Sequence, residues 1–554
     1  MQFTNHNFSL AFVFCCLMLQ IGKVSFAQND TTKHASVSII SSYKPVLRFA
    51  AKTNFYPSQY IPDSTNKFLR PYVVPAQNLN YGYQSVLLPS MELVKFRNDY
   101  LNNNYIKIGY GNYSSPLLDA GFNYNKLKNT LLHAAVEYNS SKGIIENQDY
   151  SLFAGKIDGS YFVKKHEIYS AVQFKSSQYY LYGYDHDKFD FSKNDITHPF
   201  NDFTYNIGLH NTEVNSIALN YDPNVSFNAF SMKDSINEST IKIAIPFECH
   251  LSKIVTATLN SNIDLTNVSI QNKNLNDTAF SNNIIDVTPA VHFSHSLFSI
   301  DAGLMFSSVD KKMILFPQLL FEMPIKKYSL IFKLGVLGQV YKNTYRNLTA
   351  INPYLVVNKP IENASSVDYF GAVNASLGKH VFVNVKLGFI MYKNYAIMVN
   401  DTSAADEKMN QFIISKEDKF HDVTLHADFS YVLPEKIRLS AGCTINAYGG
   451  LENNMKAYNL PVFEANATFD WMINRKVSLS TNLYLFGGGS YLDKDAQAHS
   501  IKGAIDLATE ISYRFHKRIS AFIKINNIFG DKYERWHNYP VYGINGIGGV
   551  KFSF

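Results

Sequence analysis

Cysteine is nearly absent from this chain, with four in 554 residues. Two of them, Cys15 and Cys16, sit in an apolar N-terminal run, which leaves Cys249 and Cys443 for the remaining chain. Two thiols cannot make a disulfide framework. Beyond that first run no apolar stretch approaches the roughly 18 residues of a membrane helix, so a helical membrane protein is excluded. Charge of one sign is also scarce: the net charge is +6, and a nucleic-acid binder would show a concentrated basic face. Nucleophile motifs and phosphate-cradling glycine loops are missing too, which argues against an enzyme.

Aromatic residues are abundant instead. Tyr and Phe number 37 and 41, against two Trp, although only 46% of residues are hydrophobic. The run at 9–26 (SLAFVFCCLMLQIGKVSF) ends in Ser25-Phe26-Ala27, small residues where a signal peptidase cuts. Residues 1–27 therefore read as a cleaved signal peptide. Six of the 18 prolines fall between Pro45 and Pro89, so residues 28–101 read as an extended periplasmic or lumen-threading segment rather than a folded domain.

From residue 102 to 554 one unit repeats: an alternating stretch, a short polar turn, a second alternating stretch, a longer polar loop. In 436–447, Ile437, Leu439, Ala441, Cys443 and Ile445 alternate with Arg438, Ser440, Gly442, Thr444 and Asn446. Stretches 253–264, 380–391 and 463–471 do the same. This is the period-two signal of strands with one apolar face. Sandwich strands are typically about five or six residues; these are longer and recur over most of the chain. The reading is an all-β transmembrane antiparallel barrel.

Short turns fall at 125–129, 163–167, 212–218, 249–253, 294–297, 324–328, 377–380, 433–436, 473–476 and 514–517. One strand before the first hairpin and one after the last give about 22 strands (range 18–24), an even number as bacterial barrels show. The longer loops, such as 185–201, 399–419, 488–500 and 529–540, belong outside the cell and the short turns in the periplasm. The last strand places Ile544, Val550, Phe552 and Phe554 on one face and Asn545, Lys551 and Ser553 on the other. Trp471, Phe552 and Phe554 suit the periplasmic aromatic girdle and Tyr542 the outer one. Inward Arg438, Lys386, Glu464, Asp470, Lys524 and Lys551 mix signs, which predicts a hydrated or polar-packed lumen.

The closing strand and the preceding INNIFGDKY at 525–533 resemble the final strand–loop signature of TonB-dependent receptors, in the form common among Bacteroidetes. The Tyr-Gly-rich opening at 108–117 (IGYGNYSSPL) and SYKPVL at 42–47 are similar to the same family. The resemblance implies the cell outer membrane, solute transport or reception, and lipid, TonB and an unknown small solute as partners, with no nucleic acid. The chain departs from that pattern in having no recognisable plug domain; Val37-Ser38-Ile39-Ile40 is the one candidate for a TonB-pairing segment. The alternative is a non-transporting structural subunit of a larger outer-membrane assembly.

Candidate chemistry is sparse. His292 and His295 lie three apart at a strand end and turn, poor geometry for one metal. The acidic loop YDHDKFD (184–190) does not match a calcium loop in spacing or glycine. His133 and Glu137, four residues apart on one strand face, are a tempting pair but read as simple lumen lining. No catalytic, cofactor or metal residues are assigned.

Overall fold

The computed structural model describes residues 104–554 apart from 214–217, 233–235, 272–277, 310–311, 357–359, 403–410, 494 and 496. The leader, the Pro-rich segment, the 42–47 motif, the Val37–Ile40 candidate and the question of a plug lie outside the described residues.

Antiparallel strands pair with their sequence neighbours from Tyr105–Gly111 to Asn545–Ser553, and these two pair with each other from Tyr105↔Ser553 to Gly111↔Ile547. The sheet is therefore closed and has no free edge, as a strand-built membrane protein requires. It contains 23 strand segments but 22 staves. Leu219–Tyr221 and Asn224–Met232 lie along the Ile236–His250 strand in one unbroken register (Tyr221↔Phe247, Asn224↔Ala244). They are interrupted only at Asp222-Pro223, where Pro223 has no N–H to donate.

All ten short turns fall where the alternation breaks, on the same end of the barrel as both ends of the closed sheet. The strands run longer than the sequence suggests. Val381–Asn400 and Phe412–Leu433 pair out to Asn400↔Phe412, so 399–400 and 412–419 are ladder rather than loop. A membrane crossing needs only about 9–11 residues. The 20-residue and 22-residue strands thus stand well above the outer surface and carry the loops with them.

Alternation sorts the wall into two faces. Leu387 is 57% exposed beside Lys386 at 5%; Ile157, Ile523, Val550 and Phe552 share the outward apolar coat. A closed barrel with such a coat sits in an outer membrane, with its hydrogen bonds satisfied strand to strand. The inner face is polar and paired: Lys107 meets Glu510 at 2.9 Å and Lys386 meets Asp368 at 2.6 Å. Asp470 accepts from Ser480 at 2.6 Å and Glu464 from Tyr484 at 2.9 Å. Two of these contacts are ion pairs and two are hydroxyl–carboxylate hydrogen bonds, so the inner face is polar and packed.

The closing seam depends on one aromatic. Phe522 is 3% exposed and its ring lies 4.1 Å beneath the Lys107 ammonium. A Cβ at Gly549 would sit 2.6 Å from that ring, so glycine lets the ring cover the junction between first and last strands.

Candidate functional site: an aromatic cavity at the outer mouth

The largest apolar cluster among the described residues lies at the extracellular end, not in the lumen wall. It is built from loops that fold inward. Tyr182 comes from the loop after His166–Tyr180, and Tyr354 from the loop after Leu330–Tyr341. Trp536 and Tyr539 belong to a small hairpin, Glu534–Trp536 against Tyr539–Pro540. Phe200, Phe230 and Phe412 on strand ends complete it.

Local chemistry fixes each loop. The Tyr345–Ile351 helix is capped by Thr344, whose hydroxyl accepts from Asn347 N–H at 3.1 Å. This turns Arg346 toward Asp202 on the Thr197–Asn211 strand, with Nε donating at 2.7 Å. The hairpin is tied by Glu534, which bonds His537 Nδ1 at 3.1 Å and accepts from Asn538 N–H at 3.0 Å. Burial pushes the Glu534 carboxyl upward, yet these bonds outweigh it and leave the group below its ordinary value. Tyr182 donates to the Pro540 carbonyl at 2.9 Å, which joins two of the loops.

Together they enclose a cavity of about 460 Å³, within the range of small-molecule sites. Its walls are rings: Tyr354 and Tyr539 stack at 3.5 Å, Tyr182 meets Tyr539 edge-on at 4.9 Å, and Phe412 meets Trp536 at 5.3 Å. Burial raises the Tyr182 phenol to about 12 and lifts Tyr354 and Tyr542 above the ordinary tyrosine value. The phenols in the loops are therefore neutral hydrogen-bonding groups. Arg346, Arg535, Lys175, Asp149 and Asp202 also line the cavity.

Tyr542 is the main correction to the sequence reading. It does not face the outer girdle; it turns inward, donates to the Gln148 carbonyl and meets Tyr150 at 5.8 Å. The alternation that places Val550 and Phe552 outward stops with the Asn545–Ser553 strand, and Tyr542 lies before it. His133 and Glu137 do not pair either. His133 Nδ1 meets Asp158, its cross-strand partner, at 3.0 Å, while Glu137 accepts from Asn139 at 2.9 Å. His292 pairs with Asp301 at 2.6 Å, whereas His295 packs on Phe298. In the acidic loop, Asp185 is matched by Lys188 at 2.7 Å and by Asp187 N–H. Among the described residues, no three of His, Cys, Asp and Glu converge to hold a metal ion. The aromatic cavity itself was not legible as a site. The only sequence signal for it is the density of Tyr, Trp and Pro at 533–542.

The fold and its inward-folded loops define a large, closed 22-stave outer-membrane β-barrel. No protein-family model and no curated protein matches the sequence. Solved structures do match the fold. The FrpB iron transporter from Neisseria meningitidis gives a TM-score of 0.62 at 10% identity, over 82% of this chain and 81% of that one. The siderophore receptor PirA from Acinetobacter baumannii gives 0.61 at 11%, over 82% and 80%. The copper transporter OprC gives 0.60 at 10%, over 82% and 80%.

Proposed function

We propose that this chain is a TonB-dependent-receptor-like outer-membrane protein that captures a small solute from outside in the aromatic cavity for passage through the barrel. The observation that carries this reading is the cavity. Three loops and several strand ends far apart in sequence spend their apolar side chains on a lined hollow rather than on the lipid coat. A purely structural barrel has no need of a roofed space of ligand size at its outer mouth. The similarity to siderophore, iron and copper transporters of the same architecture supports the same reading.

Trp536 and Trp471 are the only tryptophans. In a Trp471→Phe background the Trp536 fluorescence reports on the cavity alone. Saturable quenching of the detergent-purified full chain by 1-naphthamide is expected, and no quenching at millimolar probe would sink the capture reading. Coupling to TonB is part of the proposal, with 28–101 as the segment that reaches it; co-purification of the periplasmic domain of TonB with the full chain tests it.

A further inference from the structure

The two ends of the barrel carry opposite charge. The ten short turns hold thirteen Lys and Arg against three Asp and Glu, more positive charge than the net +6 of the whole chain. The long loops 185–201, 399–419, 488–500 and 529–540 hold eight Lys and Arg against thirteen Asp and Glu. Every Lys and Arg of the turns is exposed. Among the described residues only Lys165 of this set has an ion pair, with Glu213 at 3.0 Å. Neighbouring turns are tied through their main chains: the Lys436 carbonyl accepts from Met472 N–H at 2.8 Å, and the Lys476 carbonyl from Arg514 N–H at 2.7 Å. Lys436, Arg475, Lys476 and Arg514 thus stand along one short arc of the periplasmic rim.

The same turns expose large apolar side chains among the cations. Leu251 is 64% and Leu297 66% exposed, and Leu127, Tyr328, Ile473 and Phe515 are exposed likewise. Apolar groups interleaved with Lys and Arg suit a surface lying in a headgroup layer, where the apolar groups reach the acyl boundary and the cations stay with the phosphates. Turns standing free in water would gain nothing from that pairing. The segment 28–101 is no complement to the rim, since its eight Lys and Arg against four Asp and Glu give it the same sign.

We propose that the periplasmic rim is a docking surface for anionic phospholipid headgroups of the inner leaflet. The basic turns gather such lipids around the barrel, and their apolar side chains set the rim at phosphate depth. This holds whatever solute the cavity takes.

The test reads lipids at Trp471, which borders the 473–476 turn. In a Trp536→Phe background Trp471 is the only tryptophan. The full chain is reconstituted into mixed bilayers of phosphatidylglycerol and phosphatidylcholine, with one or the other brominated on its acyl chains. Bromine quenches a nearby indole, so the two mixtures give the relative occupancy of each lipid beside the turn. At low ionic strength phosphatidylglycerol should be favoured at least about threefold, and about 1 M salt should bring the ratio close to unity. Lys436→Gln, Arg475→Gln, Lys476→Gln and Arg514→Gln together should do the same at low salt, whereas Lys419→Gln at the opposite end should leave the ratio as in the parent. Should the fourfold variant not assemble into a heat-modifiable barrel, the salt titration of the parent carries the test. Equal quenching by the two lipids, a preference that survives the four substitutions or high salt, or an equal loss in Lys419→Gln would overturn the proposal. Equal quenching joined to retention of the parent, but not of the fourfold variant, on sedimented peptidoglycan would assign the rim to the cell-wall polymer instead.

Discussion

The rings of Tyr354 and Tyr539 lie nearly parallel, with centroids 3.5 Å apart and planes 16° apart. The two residues come from loops on different parts of the rim, and Tyr182 from a third loop meets both edge-on. This triad is what makes three separate loops into one roof. Each such pair is worth about 0.5–1.5 kcal/mol beyond simple burial. Tyr539→Ala removes two of them and opens the cavity. Its affinity for 1-naphthamide should fall by about tenfold, the equivalent of roughly 1.4 kcal/mol, with the barrel still assembled. Tyr539→Phe keeps the ring contacts and most of the binding. An unchanged Tyr539→Ala titration would mean that the roof is not the binding surface.

A second loop is held by a carboxylate rather than by rings. Glu417 is fully buried on the Phe412–Leu433 strand. Its oxygens accept from the main-chain N–H of Glu452 (2.6 Å), Asn453 (3.0 Å) and Asn454 (2.9 Å), and from Asn454 Nδ2 at 2.9 Å. Both oxygens are used as acceptors, so the amide of Glu417→Gln turns a donor toward donors. Losing a buried partner costs about 1–3 kcal/mol. Hydrogen exchange at the Asn453 and Asn454 amides should accelerate by about tenfold or more, while exchange in the Ile437–Gly449 strand stays as it was. Equal protection in the Gln variant would show that the loop is held elsewhere.

What sequence conveys here is periodicity, and what it hides is long-range return. Leu439, Ala441 and Cys443 alternate with polar neighbours because a strand between lipid and lumen has two unlike faces. That pattern fixed the ten turns and hence the 22 staves. Glu417 and Tyr542 show the limit. Glu417 sits in a polar stretch (SKEDK) that reads as loop, yet it is ladder, because a strand rising above the membrane has no lipid face to mark it. Tyr542 loses its outward placement because hydrogen bonding to Gln148 is made across the whole chain. His133 and Glu137, four apart on one strand face, line the wall without pairing; His133 meets Asp158, its partner across the ladder. Spacing within a strand is visible in a sequence; the partner across the ladder is not.

Acid should loosen the hairpin that carries Trp536. The Glu534 carboxyl is held below its ordinary value despite burial, through its bonds to His537 and the Asn538 N–H. A carboxyl depressed in the folded state adds stability above its unfolded value of about 4.3, and this is lost as pH falls through the folded value. The Trp536 signal in Trp471→Phe should thus hold steady from neutrality to about pH 5 and shift below about pH 4. Glu534→Gln should lack that acid step. A step of the same size and midpoint in the Gln variant would assign it to another group.

Closure of the barrel makes the sharpest contrast between neighbouring glycines. The first and last strands share seven register pairs, Tyr105↔Ser553 to Gly111↔Ile547, fewer than most neighbours in the wall. A Cβ at Gly549 would collide with the Ile108 carbonyl oxygen and lie 2.6 Å from the Phe522 ring, whereas one at Gly546 would meet nothing within 4 Å. Gly549→Ala therefore forces Phe522 or the strand to shift at the point where the ring covers the seam. Overpacking of this kind costs about 1–3 kcal/mol, and at a short junction it weakens the step that joins the two ends. The Gly549→Ala protein should lose its folded, fast-migrating form at a lower temperature on unheated gels, and Gly546→Ala should match the parent. Phe522→Leu together with Gly549→Ala should recover part of the loss by making room. If Gly549→Ala and Gly546→Ala melt together, the seam is not limited by the space beneath Phe522.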